Sequence, residues 1–199
     1  MLDGVHPRDD AHLEPILAET RVMDRLLDDL RTLSLAEAGA LPLHREEVDV
    51  RRLLADVAAS HAAAAREAGV RLEAGPGTSG ASAAPLLLDV DPVRVREIVG
   101  NLVTNALRHT PPGGSIELSA RVDGPWIEIS VSDTGEGIDP ADLGRVFDRF
   151  ERRADSGGSG LGLAIARDLV AAHGGTIGAE SDGIPGHGTT FQVRLPRPA

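Results

Sequence analysis

Residues 97–110 read EIVGNLVTNALRHT, Glu97 to Thr110, and the fold turns on how that stretch is arranged. As a helix it places Glu97, Asn101, Asn105 and Arg108 at i, i+4, i+8 and i+11, on one face. Ile98, Leu102, Val103 and Ala106 then fall on the opposite side. Asn is a poor helix former, so two of them one turn apart ask for a reason. A solvated helix face is one reading. The other is a ligand: amide oxygens can serve Mg²⁺, which prefers oxygen donors and keeps several of its waters.

Outward from this helix the punctuation is clear. Asp91-Pro92 supplies an N-cap and a first-turn proline, and Pro111-Pro112-Gly113-Gly114 ends the element. Upstream, Val50 to Ala68 is amphipathic and stops at Gly69. Val70–Leu72 and Leu86–Val90 are short strands around a Gly/Ser/Ala loop. Downstream, Ile116–Val122 and Trp126–Val131 form a strand pair joined by Asp123-Gly124-Pro125, a hairpin signal. A glycine-rich acidic stretch leads to a helix from Gly160 to His173, then to strands Thr176–Ala179 and Thr189–Leu195. Strands pairing as neighbours with helices stacked on one face make an α+β two-layer sandwich.

The N-terminus differs. After a short tail, a helical pattern runs from about Ala11 to Ala38, ended by Gly39 and Pro42. Leu13, Thr20 and Leu27 recur every seven residues, as do Ile16, Met23 and Leu30. That spacing suits a bundle or coiled coil better than a small core. The expected division is residues 1–40 for this helix and 41–199 for the sandwich.

Composition removes several functions. The chain has 199 residues and a formal net charge of −11, and all 20 basic residues are arginine. An acidic balance argues against a nucleic-acid backbone binder. One Trp, three Phe and no Tyr leave little for base-stacking platforms. Without cysteine there are no disulfides, thiol nucleophiles or cysteine-ligated metals. No apolar run approaches the ~20 residues of a membrane span and no signal peptide opens the chain, so a cytoplasmic location without direct membrane contact is expected.

Two further segments carry chemistry. In Ser132-Asp133-Thr134-Gly135-Glu136-Gly137-Ile138 a carboxylate closes a strand beside a Gly-x-Gly turn. Such a carboxylate can accept from an exocyclic amine such as adenine N6, and the glycines let a flat base approach the backbone. A plain acidic turn is the simpler reading. In Gly157-Gly158-Ser159-Gly160-Leu161-Gly162-Leu163 flexible glycines run into a helix start, where free N–H groups and the helix dipole favour phosphate. The Walker and dinucleotide patterns do not fit it, and a linker is the simpler reading.

Together, in this order, the three segments resemble the ATP-binding domain shared by sensor histidine kinases, DNA gyrase, MutL and the large heat-shock chaperone. The kinases are the nearest. Asn101–Ala106 looks like the N box, Asp133–Ile138 the G1 box, Val146–Arg152 the F box and Gly158–Leu163 the G2 box. His173-Gly174-Gly175 and Gly186-His187-Gly188-Thr189-Thr190-Phe191 match the closing hairpin. The resemblance covers about Leu43 to Pro196 and implies a Bergerat-type sandwich with a mixed, mostly antiparallel sheet. Met23–Leu30 and Leu35–Gly39 are similar to the second helix of the family's dimerisation and phosphoacceptor hairpin, two of which make a four-helix bundle.

The roles implied by resemblance are these. Asp133 would hold the adenine amino group, helped by Thr189 and Thr190, with Gly135, Gly137 and Ile138 as the floor. Asn101 and Asn105 would hold Mg²⁺ on the triphosphate of ATP, with Glu97 nearby. Arg108 stands where the family often has Lys and can grip phosphate bidentately. Gly158, Ser159, Gly160 and Gly162 would cover the phosphates, anchored by Leu161 and Leu163. Arg149 to Ser159 would form the lid, and His109 is close enough to touch nucleotide. Phe147 and Phe150 read as packing residues.

The reactive His of the family is followed by Glu or Asp. The seven here precede Pro7, Leu13, Arg45, Ala62, Thr110, Gly174 and Gly188. The expectation is therefore a kinase catalytic region whose acceptor His is not evident in the chain, with a response regulator as partner and homodimerisation if the first helix is supplied. The parent kinase could be membrane-anchored elsewhere. A non-catalytic nucleotide-gated module is the alternative. A gyrase-type clamp with Glu97 activating water is a weaker one, and the long heptad helix speaks against a serine kinase of the anti-sigma kind.

Overall fold

The computed structural model describes residues 10–75, 85–151 and 159–197. Four helices and seven strands follow in the order α1 (Asp10–Glu37), β1 (Glu46–Asp49), α2 (Val50–Glu67), β2 (Arg71–Ala74), β3 (Leu87–Val90), α3 (Pro92–His109), β4 (Ser115–Asp123), β5 (Trp126–Asp133), α4 (Gly162–Ala172), β6 (Thr176–Glu180) and β7 (Thr190–Pro196).

The architecture is an α+β sandwich. Five strands in the order β2-β4-β5-β7-β6 form the main sheet, and α2, α3 and α4 pack against it. Only β2–β4 is parallel, so the sheet is mixed and mostly antiparallel. The neighbour-pairing rule fails at the start of the chain. β2 joins β4 instead of β3, while β3 pairs antiparallel with β1, in a separate two-stranded sheet. Strand β1, Glu46-Glu47-Val48-Asp49, is acidic at three of its four positions and buries none of them fully, so hydrophobic alternation could not reveal it.

The core explains why the elements sit as they do. Helix α3 buries Val95, Ile98, Val99, Leu102, Val103 and Ala106 at 0–1% exposure. Each large aliphatic side chain removed from water contributes roughly 1.5–3 kcal/mol, so the orientation of α3 about its axis is fixed. The sheet answers with Ile116, Leu118, Ile127, Ile129, Val131, Phe191, Val193 and Leu195. Caps fix the helix starts. Asp49 accepts from Arg51 N at 3.1 Å and from Leu86 N at 3.2 Å, and Asp91 accepts from Val93 and Arg94 N at 3.0 and 3.1 Å.

Helix α1 meets this body at one end. Leu33 is 3% exposed and part of the core, and α1 packs on α4. Towards its N-terminus, Leu17, Met23, Leu27 and Leu30 are 50–66% exposed. The tail before Asp10, the loop at 76–84 and the lid glycines Gly157 and Gly158 lie outside the described residues.

Candidate functional site

With its apolar side locked into the core, α3 holds Glu97, Asn101 and Asn105 half-buried on the other face, and Arg108 exposed beyond them. Glu97 is not idle: its Oε2 accepts from Arg94 Nη1 at 2.8 Å. Asn101 lies against the start of α4, where a Cβ built on Gly162 would stand 3.5 Å from Asn101 Oδ1. Two segments separated by about sixty residues in sequence are thus adjacent.

The first turn of α4 is uncapped by any side chain, its N-cap being Leu161. Its leading N–H groups are the kind that bind anions. Leu161 is 2% exposed and Leu163 packs on the core, so two anchors hold the helix start down. Ser159 Oγ accepts from Leu161 N at 3.3 Å, and Gly160 O accepts from Phe150 N at 3.0 Å. Gly158 lies outside the described residues.

Asp133 is the centre of the second cluster. It closes β5, is 6% exposed, and its Oδ1 accepts from Gly135 N at 2.8 Å and Thr189 N at 3.2 Å. Its Oδ2 receives no hydrogen bond from the described residues. Burial pushes the carboxyl pKa up, and the two N–H donors pull it back only partly, so it stays above the usual aspartate value of 3.8. Backbone crowds it. A Cβ on Gly188 would run into Asp133 O, and one on Gly135 into His109 O; Gly188 also has φ +73°. Only glycine permits this close crossing of chains.

A web of short bonds fixes the rim. Gly186 N donates to Gly135 O at 2.8 Å, and Glu136 N to His109 O at 3.2 Å. His109 Nδ1 lies 2.7 Å from Glu136 Oε1, which holds the half-buried imidazole at the edge of the glycine turn. Ser181, to which the motif reading gave no role, accepts from Ile138 N at 2.9 Å and donates to Gly188 O at 2.7 Å. A single serine in a loop carries no sequence signal of such a post.

The remaining residues fall elsewhere. Thr190 Oγ1 is engaged with Ser132 Oγ across β5–β7 at 2.9 Å. Arg149 Nη2 reaches Asp168 Oδ2 at 3.4 Å; both, with Arg167, line an open cleft of about 470 Å³ that Ala36 of α1 and Gly39 and Leu41 after it also line. Phe147 packs edge-on against Phe191, centroids 6.1 Å apart. Phe150, expected to pack as well, is 66% exposed with φ +61°. The turn that accommodates this backbone carries the ring out of the core.

The sandwich, the amide-bearing helix and the glycine-flanked carboxylate define an ATP-binding fold of one kind: the chain belongs to the histidine kinase-, DNA gyrase B- and HSP90-like ATPase family, which matches residues 90–199. The relatives are sensor proteins and sensor histidine kinases. The chain is 36% identical to the sensor protein DivL of Caulobacter vibrioides over 98% of its own length and 24% of DivL. It superposes on the Acinetobacter baumannii histidine kinase AdeS with a TM-score of 0.79 at 26% identity, covering 99% of this chain and 89% of that one. It superposes equally on full-length ShkA in complex with AMPPNP, with a TM-score of 0.79 at 29% identity over 96% of this chain and 39% of ShkA. The chain spans less than half the length of the curated relatives it matches.

Proposed function

We propose that this chain is the Mg²⁺·ATP-binding catalytic region of a sensor histidine kinase and passes the γ-phosphoryl group to a histidine on another segment or partner. One observation carries the reading. Asp133 is a buried carboxylate with one oxygen held by two N–H groups and the other available, and backbone glycines stand around it where a Cβ could not. That is the donor–acceptor logic of a pocket for an aminopurine, and it fits adenine.

The donor set on α3 fits the cation. Asn101 and Asn105 offer amide oxygens one helical turn apart, suited to a Mg²⁺ that keeps waters and phosphate oxygens as its other ligands. Bound Mg²⁺·ATP supplies the transferable phosphoryl group and the divalent charge that neutralises it. The chain's own residues orient and shield. Asp133 fixes the base, Thr189 fixes Asp133, and the first turn of α4 offers N–H groups to phosphate oxygens. Leu161 and Leu163 hold that turn against the core. Arg108, exposed at the end of the stripe, provides a guanidinium for the phosphates, and Gly158–Gly160 and Arg149 belong to the covering segment.

Glu97 sits at the start of the stripe and is paired with Arg94. The exposed apolar row Met23, Leu27 and Leu30 supports a dimerisation role for residues 1–40, with a response regulator as the downstream partner. No helix among the described residues is long and apolar enough to cross a membrane, in keeping with a cytoplasmic position for this region.

Two measurements test the reading. Titration calorimetry of Mg²⁺·ATP into the chain should show binding that Asp133→Ala weakens by about 1.5–3 kcal/mol, the worth of a charge-assisted hydrogen bond; unchanged affinity overturns the adenine assignment. Labelled ATP and a separate helical hairpin bearing a reactive His should give label on the hairpin. Its absence, with binding intact, favours a nucleotide-gated regulatory module.

A further inference from the structure

Ser181 follows β6 directly and stands outside every motif that the functional reading uses. Its hydroxyl nevertheless makes three hydrogen bonds. It donates to Gly188 O at 2.7 Å, and it accepts from Ile138 N at 2.9 Å and Gly183 N at 3.3 Å. A serine hydroxyl has one proton and two lone pairs, so its whole capacity is spent. A Cβ on Gly137 would stand 3.0 Å from this oxygen, so the glycine turn closes directly onto it.

What Ser181 joins is the point. Ile138 and Gly137 end the turn that starts at Asp133. Gly188 precedes Thr189, whose N–H fixes Asp133 Oδ1 and whose carbonyl accepts from Asp133 N at 2.9 Å. A further direct backbone link between the two loops is Gly186 N to Gly135 O at 2.8 Å. Without the hydroxyl, two N–H groups and one carbonyl lose their partner, and the tie between the loops loosens, leaving the Asp133–Thr189 and Gly186–Gly135 bonds to carry it. The available oxygen of Asp133 would then no longer point at one fixed position.

We infer that Ser181 is a positioning residue for base recognition: its hydroxyl sets the spacing between the Asp133–Ile138 turn and the Gly186–Thr189 loop, and through them the preference for a 6-amino over a 6-oxo purine. It does so without touching the nucleotide. The inference rests on the adenine-pocket reading and sharpens it. A 6-amino group offers Asp133 a proton, whereas a 6-oxo group sets one acceptor against another, so the preference depends on where Oδ2 is held.

The test compares Mg²⁺·ATP and Mg²⁺·GTP by calorimetry for the chain, Ser181→Ala and Ser181→Thr, with thermal melting to verify folding. Ser181→Ala should weaken ATP about tenfold while GTP changes little, so that the ratio between them falls; Ser181→Thr, which keeps the hydroxyl, should restore most of it. If Ser181→Ala does not fold, Ser181→Cys replaces it, since sulfur fills the space and accepts poorly. A folded Ala or Cys variant with unaltered ATP affinity and ATP/GTP ratio overturns the inference, as does a Thr variant no better than Ala. A lowered melting temperature with the ratio intact counts as the same refutation, because it marks a merely structural serine. Failure of the unmodified chain to bind ATP at all is a different result and overturns the functional reading beneath.

Discussion

If Asp133 reads the base as proposed, two demands meet there: the carboxyl must be dry enough to select its ligand and charged enough to hold it. Burial raises its pKa above 3.8 in the folded chain. Sign follows from this. The raised value stabilises the fold below 3.8, and that contribution is lost as pH rises through the folded pKa. A ligand N–H favours the carboxylate, so nucleotide binding should release a proton, and affinity should climb with pH through that same interval before levelling off. Calorimetry in buffers of different ionisation enthalpy measures the proton count directly. Gly188 gives a steric counterpart. Gly188→Ala meets Asp133 O and carries φ +73°, so it should cost at least about 1–3 kcal/mol of stability and abolish ATP binding, read by urea titration and calorimetry. The turn that sets Asp133 against Gly135 was legible in the sequence because the motif is contiguous. The role of Ser181 was not, since its partners are supplied by folding alone.

Between elements, a buried node ties α3 to α4. His173, capping α4 and 1% exposed, places Nδ1 2.8 Å from Leu169 O, so that Nε2 accepts from Asp91 N at 3.2 Å. Asp91 in turn caps α3 and accepts from His44 N at 2.9 Å, and Arg45 Nη2 donates to His173 O at 3.4 Å. The segment following α1 is therefore bonded to both helices that line the site. Burial holds His173 below the usual imidazole value of 6.5, the nearby arginines add to this, and its acceptor Nε2 has no room for a second proton. A depressed folded value leaves its contribution intact above 6.5 and withdraws it as pH falls through the folded pKa. Unfolding free energy should drop on acidification from pH 7 towards 5, and His173→Gln, which cannot protonate, should flatten that slope in urea titrations. The helices α2 and α3 could be read from periodicity and caps to within a residue or two. The strands β2 and β3 could be seen but not paired, because partner choice is a long-range matter that four residues do not encode.

For the molecule as a whole, the sheet has one face under helices and one bearing polar side chains. On the latter, Glu128 of β5 is 2% exposed yet charged, bridged by Arg121 at 2.6 Å from β4 and Arg194 at 3.0 Å from β7. Burial opposes the carboxylate, but the two guanidinium groups outweigh it and lower its pKa. Glu128→Ala should lower stability by about 1–3 kcal/mol without altering ATP affinity, since both arginines are exposed enough to rehydrate. The α+β layering was legible from element order, and the single parallel pair was not.

Helix α1 spans 28 residues, about 42 Å, and is seated on α4 near Leu33, close to one tip. A rod seated this way would pivot like a long oar in its rowlock. A tilt of about 5° at the seat swings the distant tip by roughly 3–4 Å, while the stub beyond Leu33 shifts by well under 1 Å. Large excursions at the blade would thus reach Ala36, which shares a cleft with Arg167 and Asp168, as small, geared-down strokes.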